Sequence, residues 1–140
     1  MPFIEPKVRG GLRRARPVPP VTAGVRKRGR SGKLTPFIAI QEGTVRGWFG
    51  GTPETDAIPM VLLVGSGAGG GKIGIHRVPE AQANISLRRP TKGSTEFVIE
   101  SVMIPFIGGP IPRKEADFES TQSGMIIVLP WIVPRDDGEL

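Results

Sequence analysis

Apolar residues fall into short runs set off by glycine, proline and polar turns, and most of these runs read as strands. Phe37 to Ile40 is a first strand, Thr44 to Phe49 a second carrying Trp48, and Ile58 to Val64 a third. The third is almost unbroken in apolar residues, which predicts burial on both faces. Lys72 to Val78 alternates with β-branched residues and predicts a fourth strand; Asn84 to Arg88 predicts a fifth. Pro79 to Ala83 has the composition of one helical turn. Glu96 to Phe106 alternates over most of its length and predicts a sixth strand, ending near Pro105. Gly108 to Pro112 is a rigid turn, Arg113 to Gln122 a polar stretch with room for a short helix, and Met125 to Val133 a last strand. Closely spaced short strands predict an all-β fold, a small sandwich or barrel, over residues 35–134. An acidic tail follows over 135–140.

Residues 1–34 show neither periodicity. Pro2, Pro6, Pro17, Pro19 and Pro20 oppose helix and remove backbone donors, and five glycines loosen the remainder. The expectation is an extended arm that cannot bury enough apolar surface to order itself. Charge sharpens this division. Residues 1–34 hold ten Lys or Arg against one acid, a net +9, whereas residues 35–140 hold nine against twelve, a net −3. A basic arm is thus joined to a slightly acidic body. Its cations Arg9, Arg13, Arg14, Arg16, Arg26, Lys27, Arg28, Arg30 and Lys33 are the candidate contacts to a partner or to nucleic acid.

Between the third and fourth strands, Gly65, Gly67 and Gly70 satisfy G-x-G-x-x-G, and Gly71-Lys72 resembles the end of a phosphate loop. Both motifs work by seating phosphate on a helix N-terminus. Here a strand follows Lys72, Ser66 replaces the phosphate loop's first glycine, and Ile73 replaces its Ser or Thr. The stretch therefore reads as a glycine hairpin loop, and Gly65, Gly67, Gly70 and Lys72 as a candidate contact loop that a neighbour's backbone can approach closely.

Composition removes several other chemistries. Without cysteine there is no disulfide scaffold, thiolate metal site or Cys nucleophile. No apolar run reaches the roughly 20 residues of a membrane span, and no uninterrupted secretory h-region is present. His76, the only histidine, has neither a marked nucleophile nor an orienting group and reads as a strand side chain. Asp117 and Glu119 sit in a polar neighbourhood and read as a surface loop. Ser120, Thr121 and Ser123 lack a nucleophile-elbow pattern. No cofactor, metal or catalytic residue is assigned, and an enzyme is not expected.

Two partner classes remain for the arm: subunits of a protein assembly, including other copies of this chain, or nucleic acid held without sequence preference. The body has no Tyr, and its Phe and Trp lie mostly within apolar runs, so stacking platforms for bases are not evident. Thr35-Pro36-Phe37-Ile38, Val45 to Trp48, Gly51-Thr52, Asp56-Ala57 and Val61-Leu62-Leu63 together resemble the opening of lambda-type phage head decoration proteins. The resemblance covers about residues 33–64 and does not extend past Gly65. It implies a small β-rich trimer that stabilises a capsid, located in the virion or host cytoplasm. The expectation is a structural assembly protein, a decoration, cement or connector subunit; the alternative is a small nucleic-acid-binding protein.

Overall fold

The computed structural model describes residues 18–50, 55–65, 71–121 and 124–131. β1 (Val21–Arg28) and β2 (Lys33–Gln41) form a hairpin, followed by helix α1 (Glu42–Phe49). A second hairpin pairs β3 (Ala57–Val64) with β4 (Lys72–Arg77), and a single 3-10 turn spans Glu80–Gln82. Then come β5 (Ile85–Arg88), β6 (Glu96–Glu100), β7 (Ile111–Glu115), β8 (Asp117–Ser120) and β9 (Met125–Val128). All pair antiparallel in one nine-stranded sheet of order β7-β1-β2-β6-β5-β3-β4-β9-β8.

The two outermost strands of that sheet, β7 and β8, are consecutive in the chain with only Ala116 between them. Its amide donates to the Val21 carbonyl at 3.0 Å, and its side chain is buried. Both edges of the sheet are therefore one bent segment, and the sheet is a nearly closed barrel. Near-closure leaves only short unpaired edges of the kind that make open sheets aggregate.

Strand alternation then sorts side chains into an interior and an outer wall. Val21, Ala23, Ile38, Ile40, Met60, Ile75, Leu87, Phe97, Ile99 and Ile127 all point inward and are buried. The ends are plugged. At one, α1 inserts the fully buried Val45 and fastens down through Trp48, whose Nε1 donates to the Thr121 carbonyl at 3.1 Å. At the other, the β6–β7 connection inserts Ile104, also fully buried, beside Trp131, whose Nε1 donates to the Pro105 carbonyl at 2.9 Å.

The β5–β6 seam has the shortest ladder, a single register pair between Arg88 and Val98. Arg89, next in the chain, reinforces it. Its guanidinium pairs with Asp56 at 3.1 Å and Glu42 at 3.4 Å, donates to the Ser94 carbonyl, and lies 4.6 Å above the Phe97 ring. Its hydrogen bonds to the Glu42 and then the Asp56 carboxylate raise its pKa above the ordinary arginine value.

The all-β reading and the β3–β4 pairing hold, and the residues after Lys72 do form a strand. Other expectations are corrected. Residues 21–34 are not an irregular arm: Val21, Ala23 and Val25 alternate into the core, so the barrel begins well before Thr35. Thr44 to Phe49 is helical, because Val45, Trp48 and Phe49 recur at i, i+3 and i+4 and Gly50 supplies the left-handed cap (φ 78°). β3 is buried on one face only: Ile58, Met60 and Leu62 point inward while Leu63 is exposed on the wall and Val64 at the barrel's end. Residues 113–115 belong to β7 and 117–120 to β8 rather than to a helix or loop. β6 stops at Glu100, where the Ser101 hydroxyl accepts the Met103 amide and turns Ile104 into the barrel. β9 stops at Val128, short of Val133.

Candidate functional site

β1 and β2 carry five of the nine candidate cations into a rigid hairpin. Arg28 and Lys33 face each other at its last register pair, and residues 29–32 turn between them. Gly29 and Gly32 adopt φ of 69° and 67°, and the Gly32 amide donates to the Gly29 carbonyl at 3.2 Å. These left-handed positions favour glycine. Lys27, Arg28, Arg30 and Lys33 are exposed around the tip. Like charges directly opposite each other, as in Arg28 and Lys33, weaken a hairpin. Glu100 relieves part of this by pairing with Arg28 at 3.1 Å. Arg9, Arg13, Arg14 and Arg16 lie outside the described residues.

Arg26 behaves differently from its neighbours. Phe37 lies on the outer wall, yet it is only 4% exposed, because its ring is covered by two guanidiniums, Arg26 at 4.2 Å and Arg113 at 5.3 Å. Glu100 holds Arg26 at 3.0 Å and Glu96 holds Arg113 at 3.0 Å. A surface cavity of about 490 Å³ opens here, lined by Arg26, Arg28, Arg88 and Arg113 with Glu96 and Glu100. Both carboxylates are engaged by arginines, so the cavity keeps a modest excess of positive charge rather than a strong anion trap.

A wider basic patch over Arg77, Arg88, Arg89 and Lys92 is not assembled. Arg77 stacks on Phe49 at 4.3 Å, Arg89 is the internal tie described above, and only Arg88 reaches the cavity. The glycine loop closes where the Gly65 amide donates to the Lys72 carbonyl at 2.9 Å. Strand direction and register put Gly65 and Lys72 at the same end of the barrel as the hairpin tip. Gly67 and Gly70 lie outside the described residues. His76 sits on β4 opposite Val61.

Sequence reasoning missed an exposed apolar surface. Leu63 and Ile126 both register against Gly74, so a row across β3, β4 and β9 reads Leu63, Gly74, Ile126. At sheet spacing their backbones stand about 10 Å apart with no side chain between them. Leu63 is 54% and Ile126 46% exposed. Val64 and Val128 continue toward the barrel's end, where the β6–β7 connection adds exposed Val102, Met103 and Ile107. A signal for this was present: in a single-layer barrel, an unbroken apolar run such as Met60 to Val64 must leave alternate residues outside.

Asp117 and Glu119 lie on β8 with Glu115 just before them on β7, all three exposed at alternate positions of one strand face. Glu119 registers with Ile126 and Asp117 with Val128, which places carboxylates along the border of the apolar wall. No cluster of three or more His, Asp or Glu able to hold a metal occurs among the described residues, and no helix there is long and apolar enough to cross a membrane. No family model, curated protein or solved structure matches the chain.

Proposed function

We propose that this chain is a structural assembly subunit, of the decoration, cement or connector kind expected of a virion, that works by covering its apolar wall and barrel end against neighbouring subunits. One observation carries the reading. Of the eight exposed large hydrophobics among the described residues, all but Val18 lie on β3, β9 and the β6–β7 connection. Exposed apolar side chains gathered on a few elements in this way mark interfaces. The candidate loop ends Gly65 and Lys72 border the same region.

Light scattering coupled to size exclusion tests the reading. The wild-type chain is expected to be oligomeric, and Leu63→Lys or Ile126→Lys to shift it toward monomer while leaving the circular dichroism melt intact. A wild-type chain that stays monomeric at every attainable concentration, alone and with isolated capsids, sinks it.

The hairpin tip favours a second reading, sequence-independent nucleic-acid binding. Lys27, Arg28, Arg30 and Lys33 form an exposed cluster in which, among the described residues, only Arg28 has an ion-pair partner, Glu100. If all four meet phosphates, log K is expected to fall with log salt at a slope of roughly −3 to −4. Anisotropy titrations of random duplex at several salt concentrations measure this. A slope near zero, or one unchanged in Lys27→Glu/Arg30→Glu/Lys33→Glu, rejects the reading.

A further inference from the structure

The barrel carries two charged features that its own contacts leave unspent. Glu115, Asp117 and Glu119 recur every second residue on the closing strand, so they span about 13 Å of one outer edge. Their register partners are Thr22, Val128 and Ile126, none of them a cation. None of the three has an ion-pair partner among the described residues. The same holds for Lys27, Arg30 and Lys33 at the hairpin tip. Lys114 points away from the acidic face, and Arg113, at the near end of β7, is already held by Glu96.

Each charged feature also has apolar surface beside it. The acids border Ile126 and Val128, with Leu63 beyond the Gly74 gap. The hairpin shares its end of the barrel with Val102, Met103 and Ile107. Each feature is a charged rim beside an apolar centre, with opposite sign.

Resting on the assembly reading above, we propose that the partner seated on the β8–β9–β4–β3 wall is the hairpin end of a second copy of this chain. Lys27, Arg30 and Lys33 of that copy face Glu115, Asp117 and Glu119, while its β6–β7 connection covers Ile126, Val128 and the Gly74 furrow. The two patches differ, so the contact is heterologous and repeats head to tail, giving a ring if the rotation closes and a chain if it does not. The charges select the partner and set its register; the apolar contact supplies most of the affinity. Gly74 fits this role, because a Cβ there meets nothing closer than the Met125 carbonyl at 4.0 Å, and the barrel's own packing does not require a glycine.

Charge reversal tests the pairing in the full-length chain. Two variants are made, Glu115→Lys/Asp117→Lys/Glu119→Lys and Lys27→Glu/Arg30→Glu/Lys33→Glu; Arg28 is left alone because it pairs with Glu100. Thermal melts check that both fold. Sedimentation velocity at low salt is expected to show each variant alone associating at least about tenfold more weakly than wild type. A one-to-one mixture is expected to recover association, since each reversed patch then meets its opposite. Loss in only one variant, or a mixture that fails to recover, overturns the pairing. Wild-type-like association of both variants also overturns it, while loss in Leu63→Lys would keep the assembly reading. A monomeric wild type removes the assembly reading itself and the pairing with it.

Discussion

Gly24→Ala probes how the outer wall is built. A Cβ at residue 24 would stand 2.9 Å from both Cε1 and Cζ of Phe37 and 3.0 Å from the Ile111 carbonyl oxygen, about 0.5 Å inside ordinary contact. Neither neighbour yields freely. The Phe37 ring is held from above by Arg26 and Arg113, themselves tied to Glu100 and Glu96, and the Ile111 backbone belongs to the β1–β7 ladder. Overpacking of this kind costs about 1–3 kcal/mol. Against it stands a gain of about 0.4–1 kcal/mol from restricting the unfolded chain. The net expectation is a loss of about 1–2 kcal/mol, read as a lower urea midpoint at unchanged m-value. The decisive measurement is the cycle with Phe37→Leu, whose shorter side chain lacks the two ring atoms in contact. In that background only the Ile111 contact remains, and Gly24→Ala is expected to cost less by about 1 kcal/mol or more, which is the coupling between the two sites. If Gly24→Ala costs the same in both backgrounds, the ring is not what demands glycine and the account of the wall is wrong.

Three further outcomes follow from the frame. Asn84 extends the β3 ladder past the end of β5, accepting from the Leu62 amide at 2.8 Å and donating to its carbonyl at 3.2 Å. Asn84→Ala leaves both groups unpaired and is expected to cost about 1–3 kcal/mol in urea unfolding, with faster exchange of the Leu62 amide. Ile104→Ala empties the plug at the hairpin end, where the side chain is fully buried. A loss of about 2–5 kcal/mol is expected, and a loss below 1 kcal/mol would mean the plug is dispensable. Arg89→Met removes the ties to Glu42 and Asp56 but keeps a side chain over Phe97. The melting temperature is expected to fall, and amide exchange to quicken in residues 90–95 while that of β1 and β2 holds.

How much of this was legible depends on which face of the barrel carries the signal. Inward residues declare themselves by alternation, and the β3–β4 hairpin, β5 and the core of β6 follow from that alone. α1 was misread because six residues with Val45, Trp48 and Phe49 fit two periods almost equally well. The start of the barrel was misread for a different reason. Val21, Ala23 and Val25 do alternate, but prolines precede them and cations follow, and both are strong local signs of an irregular arm. Pairing with β2 and β7 overrides them. The bend at Ala116, where one segment supplies both sheet edges, has no local signature, since only closure of the whole sheet places Val21 beside it.

The candidate surface is harder to read because its parts come from distant stretches and because similar residues play unlike roles. Arg26 and Arg28 are two residues apart on one hairpin, yet one roofs Phe37 while the other stays largely in solvent at the tip. A count of cations treats them alike. The fold also changes what those cations are able to do. On a flexible arm, each contact would carry the entropy of ordering the chain. On a hydrogen-bonded hairpin the backbone is already set before any partner arrives, so that cost is largely absent. An interface built on Lys27, Arg30 and Lys33 should therefore form fast, with a strongly salt-dependent association rate and little change in helix or strand content. An arm that folds on binding would show the reverse: weak salt dependence relative to a large change in circular dichroism. Stopped-flow association at graded salt, followed by far-ultraviolet dichroism of the same samples, separates the two. A gain of ordered structure on association would move the partner contacts off the hairpin.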